Sequence, residues 1–462
     1  MPGAVAVLDI GKTNVKLDLF DDKRTLLWQR ATANRVVPGP LYPHADVEAI
    51  WAFLIGALAD ANAAHPIGVI VPTTHACAGA LIDRSGLLLP VLDYEFAGIE
   101  EIEPRYAALR PPYAETLSPP LPAGLNQGRQ IAWQQQQFPD AFARATHYLT
   151  YPQYWSWRLT GVASSEVTML GCHSDLWAPR LARPSSLATK LDLPRLTPRL
   201  RSAWDRLGPV TAQIAADTGL GADTQVLCGV HDSNASLLPH LAARKPPFTI
   251  VSTGTWVILM AVGLGVDGLN AADDMLANVD VEGRPVACAR FMGGREYSEL
   301  VGDMTAPADD AALARVIASG AMALPCFAPQ GGPFAARQGE IRGTVAPGER
   351  AALATLYIAL MSDLMLTRLG ANAGDLIVEG SFAINAAYCR LLAALRPAQR
   401  LFAGDDAAGT ARGAALLAQW PLRHLELAAG TAIAPSTVPG LAGYREAWSR
   451  AVHDFPGRRR IC

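Results

Sequence analysis

The chain opens on an apolar run, Val5-Ala6-Val7-Leu8, which ends in Asp9, turns through Ile10-Gly11-Lys12-Thr13-Asn14 and returns as Val15-Lys16-Leu17-Asp18-Leu19-Phe20. Polar and apolar residues alternate on the return leg, so the pattern predicts two strands joined by a tight turn. Ile50, Phe53, Leu54, Leu58 and Ala61 then recur at helical spacing behind Asp46, a suitable N-cap, which predicts a helix to about His65. A buried strand, Gly68-Val69-Ile70-Val71, leads into Pro72-Thr73-Thr74-His75, and a short hairpin near residues 80–86 follows. The proline-rich residues 110–124 read as a surface excursion, 130–137 and 154–159 as helices, and 178–209 as irregular. A strand, Gln225-Val226-Leu227-Cys228-Gly229-Val230, then delivers His231-Asp232-Ser233.

Beyond Pro246-Pro247 the opening theme returns: strand Phe248-Thr249-Ile250-Val251, turn Ser252-Thr253-Gly254-Thr255, strand Trp256-Val257-Ile258-Leu259-Met260. A chain of 462 residues exceeds one hydrophobic core. The repeat predicts a duplicated α/β fold divided near residue 240, with domains 1–240 and 241–462. Another strand, Leu376-Ile377-Val378-Glu379, precedes Gly380 and a helix from about Ala383.

A carboxylate at the end of a buried strand is costly unless it meets a cation. That makes Asp9 a candidate metal ligand beside a phosphate-binding turn. Gly11-Lys12-Thr13 imitates the end of a P-loop, but the position of the first glycine is Ala6, inside the strand, and no helix follows. The turn therefore reads as a phosphate-binding hairpin with Gly11, Thr13 and Asn14 as donors. Lys12 either reaches phosphate or is exposed, and Lys16 reads as a solvated edge lysine.

A net charge of −3 and a pI near 6.3 give no electrostatic case for nucleic acid or an anionic membrane. Seven scattered cysteines with no C-x-x-C pair fit reduced thiols. With no signal peptide and no apolar run of membrane-spanning length read from the sequence, the expectation is a cytoplasmic protein acting on small molecules, with a homodimer the one macromolecular partnership admitted.

Five segments, in order, resemble the FGGY family of carbohydrate kinases: residues 9–14, Gly229-Val230-His231-Asp232, residues 252–255, Pro325-Cys326-Phe327-Ala328-Pro329-Gln330-Gly331-Gly332-Pro333, and Glu379-Gly380-Ser381-Phe382-Ala383-Ile384-Asn385. The resemblance implies two ribonuclease H-like, actin-like ATPase domains with a cleft between them, and an enzyme using ATP and Mg²⁺. It implies that Asp232 is the general base, although on local sequence Asp232 reads equally well as a cap of the helix after it. Asp9 would hold Mg²⁺. Thr253, Gly254 and Thr255 would form a second phosphate turn, with Gln330, Gly331, Gly380, Ser381 and Asn385 near the nucleotide. One departure is Glu379-Gly380, where the family usually has two glycines.

Sugar recognition is expected from Thr74, His75, Asp93, Gln153 and His231 together with Asp232. Tyr154 and Trp155 read as packing, and Gln134 to Gln137 as a solvated helix face. Within the family, Val251 to Trp256 and Tyr154 to Gly161 look most like L-fuculose and L-rhamnulose kinases, which implies a 6-deoxy-ketohexose as acceptor. The alternatives are a pentulose or short-polyol kinase and a non-catalytic actin-like ATP-binding protein.

Overall fold

The computed structural model describes residues 3–302, 308–404, 409–422, 431–456 and 458–459. The chain forms two units: one takes residues 1–243, 277–285 and 408–427, the other 244–276, 286–407 and 428–462.

In the first unit, strands Ala4–Ile10, Asn14–Phe20 and Leu26–Ala33 pair antiparallel, and Ile67–Thr74 and Gln225–Leu227 continue the sheet in parallel from Ala4–Ile10. The second unit repeats this order: Phe248–Thr253, Val257–Val262 and Pro285–Phe291 are antiparallel, and Asp375–Gly380 and Leu401–Ala403 extend the sheet in parallel. Two sheets with one strand order are the duplication that the repeated strand-turn-strand pattern predicts.

Local chemistry explains the elements. The helix Val47–Ala64 starts where the Asp46 carboxylate accepts a 3.1 Å hydrogen bond from the Ala49 amide, and it buries Ile50, Leu54 and Leu58 against the sheet. Of residues 110–124, expected at the surface, Pro112, Ala114, Pro120 and Pro122 are exposed, but Pro111, Leu121, Gly124 and the run Thr116-Leu117-Ser118-Pro119 are buried. Arg110 pairs at 2.7 Å with the buried Asp175 carboxylate, which also accepts from the Tyr106 hydroxyl, and Arg110 donates as well to the Ser118 carbonyl, which holds that part of the segment inward. The helix Gln127–Gln137 is exposed at Gln136 and Gln137, as expected, but Gln134 is buried and donates to the Tyr42 hydroxyl, and Gln130 donates to the Cys77 and Gly124 carbonyls. Gln134 departs from the expected solvated face because a polar helix position reads the same in sequence whether water or a protein partner satisfies it.

By length and composition, Val47–Ala64 and Pro347–Leu369 reach membrane-spanning character, each with mean hydropathy 1.4, which corrects the reading that no such run exists. In Pro347–Leu369, 83% of the apolar window is buried within the second unit. A helix surrounded by protein has the all-round apolar composition of a span.

Candidate active site

In the first unit three strand ends lie side by side. Asp9 is opposite Thr73, Ile10 opposite Thr74, and His231 opposite Thr74 on the other side. The register thus brings Asp9, Thr74, His75, His231 and Asp232 to one end of the sheet, where chain ends of parallel strands leave side chains for chemistry. The turn after Asp9 is the expected hairpin, with Ile10 opposite Val15 and the Gly11 amide donating to the Asn14 carbonyl at 2.9 Å. Thr13 and Asn14 are exposed at its tip.

Asp232 begins the helix Asp232–Ala243, and its carboxylate accepts from the Ser233 amide at 2.6 Å and lies 3.1 Å from His231 Nε2. Its side chain keeps 30% exposure. Burial alone would raise a carboxyl, yet the hydrogen bond and charge of His231, with His75 behind it, hold Asp232 below its ordinary value. His231 Nδ1 lies 3.2 Å from Asn234 Nδ2. With the Asn234 amide hydrogens facing Nδ1, the ring is neutral and Nε2–H points at Asp232; with the amide turned over, its oxygen accepts from an imidazolium.

Asp9 behaves oppositely. Burial first, then the charge of Asp232, push its carboxyl up to about 7, and Lys16 pulls it down. Among the described residues no side-chain hydrogen bond reaches the Asp9 carboxylate, so it is not tied to the turn amides. Lys16, expected on an edge, stands directly opposite Asp9 in a strand paired on both sides.

The remaining first-unit residues divide by their partners. Gln153 is fully buried; its amide donates to the Cys228 and Gly229 carbonyls at 3.0 and 3.2 Å and its oxygen accepts from Thr150. Ser156 on the same helix bonds the Leu227 and Cys228 carbonyls, so Tyr151–Thr160 fastens the strand that carries Asp232. Thr74 donates to the His75 carbonyl at 2.9 Å, and the His75 ring packs against Tyr94 and Tyr151. Burial lowers the His75 pKa. Asp93 is bound by Lys12, which also reaches Glu95 at 3.3 Å.

Sequence reasoning missed a second tier. Thr168 accepts from the His231 amide at 3.1 Å and itself donates to the buried Glu166. Burial raises the Glu166 carboxyl to about 7. Cys172 Sγ lies 3.9 Å from His231 Nε2. Burial opposes its ionisation, but His173 and His231 bring the thiol down to about 5. These residues lie on and around the short helix Val167–Leu170, which Glu166 caps, with no motif spacing, and the only signal was a glutamate in an otherwise apolar and hydroxyl stretch.

In the second unit, Thr253 and Gly380 are opposite each other in register. The Thr253 hydroxyl donates to the Glu379 carbonyl and accepts from the Phe382 amide, so it ties the two turns together. Gly380 has φ +78°, and a Cβ there would stand 1.9 Å from the Thr253 carbonyl oxygen. Only glycine fits, which explains why the second position of Glu379-Gly380 is the one retained. Asn385 caps the helix Ala386–Leu395, three residues later than expected, by accepting from the Tyr388 amide at 3.0 Å.

Thr255, Ser381 and Asn385 line a cavity of about 1010 Å³ with Gly254, Arg295 and Tyr297. Ile384, 91% exposed, stands on its wall. Arg295 and Tyr297 come from the helix Gly293–Val301, unread in the sequence although strand, Gly293-Gly294, helix repeats the pattern seen at Gly380. Gln330 and Gly331 do not line this cavity; Gly331 sits against the Trp256 ring.

Comparison with known proteins follows this geometry. Residues 121–239 match the N-terminal domain of the FGGY family of carbohydrate kinases, and 245–426 match the carbohydrate kinase FGGY C-terminal domain. A carbohydrate kinase from Novosphingobium aromaticivorans is 36% identical, with TM-score 0.90 over 98% of this chain and 99% of that one. The chain belongs to the FGGY family of carbohydrate kinases. An L-fuculokinase of Salmonella typhi is 27% identical over 279 residues, 57% of each chain. The matched region thus spans little more than half the length of that FGGY relative. The xylulose kinase of Lactobacillus acidophilus shares the FGGY fold at 14% identity, with TM-score 0.80 over 97% of each chain. The fold is the duplicated ribonuclease H-like arrangement.

Proposed function

We propose that the chain transfers the γ-phosphoryl group of ATP to a hydroxyl of a ketose, with a 6-deoxy-ketohexose such as L-fuculose or L-rhamnulose as the favoured acceptor. The observation that carries this reading is the pairing of Asp232, held ionised beside His231, with Asp9, whose charge is unsatisfied. Support for the acceptor comes from the L-fuculokinase relatives.

Asp232 orients the acceptor hydroxyl and takes its proton as the bond to phosphorus forms. A weakly basic carboxylate suits a loose transition state, in which the proton leaves late. Thr74, His75 and Asp93 contact the sugar. His231 fixes the charge and direction of Asp232, and Gln153 acts through the strand it fastens. Gly11, Thr13 and Asn14 in one turn and Gly254, Thr255 and Ser381 in the other bind phosphate oxygens, while Thr253, Gly380 and Asn385 shape the second turn. The large cavity beside Ile384 takes the nucleoside, Gly331 supports Trp256 behind the turn, and Gln330 is exposed next to it for contact with the nucleotide. The first unit, built mainly on the expected domain 1–240, is thereby the sugar-binding one, and the second, mainly from 241–462, the nucleotide-binding one.

A half-buried carboxyl with a raised pKa and no hydrogen-bond donor among the described residues fits a divalent cation. Asp9 would hold Mg²⁺ through water, and the ion neutralises phosphate charge when bound. Cytoplasmic location accords with this chemistry.

The test is ADP release with MgATP across ketoses and polyols, beside Asp232→Asn. Turnover stimulated by a 6-deoxy-ketohexose and lowered about 10²–10⁴-fold in the variant supports the reading. A pentulose or short polyol as best substrate replaces the acceptor. No stimulation by any sugar favours the ATP-binding protein without transferase activity.

A further inference from the structure

The strand end that carries Asp232 is short and has a strand on one side only. Val230–His231 lies in parallel register with Ile67–Thr74, and among the described residues no strand pairs its other side. Just before it, the Gly229 backbone has φ +92° and breaks the run from Gln225–Leu227. Backbone groups there must find partners outside the ladder. The Cys228 and Gly229 amides donate to the Asp205 and Ala203 carbonyls at 2.9 and 3.2 Å. The His231 amide has a side chain instead, the Thr168 hydroxyl at 3.1 Å.

A hydroxyl has one proton and two lone pairs, so to accept from the His231 amide it must point its own proton elsewhere. Glu166 Oε2 is the acceptor for that proton, and the same oxygen caps the helix Val167–Leu170 by accepting from the Thr168 amide at 2.9 Å. Without an acceptor there the hydroxyl is free to rotate, and nothing keeps its lone pair on His231. Glu166 and Thr168 are both fully buried. Glu166 Oε1 has no hydrogen-bond partner among the described residues, and burial favours a proton on this carboxyl while the charge of His231 opposes it. A proton carried on Oε1 leaves Oε2 free to accept, so a glutamine can stand in for this glutamate. His231 is where the two bonds lead: its Nε2 lies 3.1 Å from the Asp232 carboxylate, and Asp232 is the next residue in the chain. A shift of the His231 backbone therefore moves both the base and its partner.

We propose that Glu166 is a positioning residue: by aiming the Thr168 hydroxyl at the His231 amide it fixes the strand end from which Asp232 and its histidine partner project, and so governs the rate of transfer rather than the binding of either substrate. This rests on the kinase reading above and deepens it by extending the machinery to a buried carboxyl behind the site.

The experiment measures initial rates with MgATP and the best acceptor of the sugar panel for the parent, Thr168→Val, Thr168→Ser, Glu166→Leu and Glu166→Gln. In parallel, the His231 ring signals are followed by NMR in histidine-labelled protein without substrates, assigned by their loss in His231→Gln. Thr168→Val and Glu166→Leu are expected to lower kcat at least about tenfold with both KM values within about threefold, as for a small misplacement of a reacting group, and to shift the His231 signals. Thr168→Ser and Glu166→Gln keep the two bonds, and are expected to stay within about threefold of the parent kcat with the signals in place. Equal losses in the conservative and non-conservative variants would overturn the proposal, as would a parental kcat or unmoved His231 signals in Thr168→Val. Near-ultraviolet circular dichroism reports folding, and a Thr168→Val chain that does not fold would make the bond purely structural and overturn the proposal as well. If the parent releases no ADP with any acceptor, the transferase reading fails, and the His231 signals still decide whether Glu166 and Thr168 hold that residue in place.

Discussion

Asp9 and Asp232 feel one another's charge, and their surroundings drive their proton affinities apart. Asp232, bonded by His231, is held below the ordinary carboxylate range, whereas burial and Asp232 lift Asp9 to about 7. A pair separated in this way divides the labour of a site. For Asp9 the folded state holds a proton more tightly than the unfolded chain. Stability from this group is therefore greatest at acid pH and falls as pH rises from about 3.8 to about 7. Thermal unfolding across that window is expected to show a declining contribution of at most about 1.4 kcal/mol per pH unit, which Asp9→Asn removes. Mg²⁺ in excess is expected to offset the decline above neutrality, because the ion takes the place of the proton.

Among elements, the two turns differ in how much of them could be read in advance. The first was legible because a P-loop has a fixed spacing that Ala6 breaks, and because strand alternation after Thr13 excludes a helix. The second was legible as strand, glycine, helix, but its division of labour was not: Thr253 looks like a phosphate donor in sequence, and only the register with Gly380 shows its hydroxyl bridging the two strands. Lys12 escaped for a related reason, since its partners lie 81 and 83 positions along the chain, as its contacts with Asp93 and Glu95 show. The fold itself was legible because it depends on patterns within a few residues, whereas the site depends on distant contacts. Gly380→Ala tests the second turn. The left-handed backbone and the clash with Thr253 are expected to cost at least about 2 kcal/mol, read as a lowered midpoint of unfolding, with ATP binding lost in parallel.

At the scale of the whole molecule, the first unit is not one stretch of chain. The helix Gly409–Leu416 packs on Asp232–Ala243 so closely that a Cβ on Gly413 would stand 1.9 Å from the Ala235 carbonyl oxygen. Ala411, Ala414, Ala415 and Leu416 share an apolar cluster with Val5, Val7, Val71 and Leu238. A fragment of residues 1–243 leaves that surface bare, and it is expected to show no cooperative urea transition and weak near-ultraviolet dichroism, in contrast to the full chain.

The late arrival of that helix also sets a schedule for synthesis. Because Gly409–Leu416 completes the core around Asp232, a nascent chain leaving the ribosome carries an unfinished first unit until nearly all of the second has been made. The candidate base, near the middle of the chain, is thus translated well before it is locked in place, so a release from the ribosome anywhere before residue 409 yields no working half.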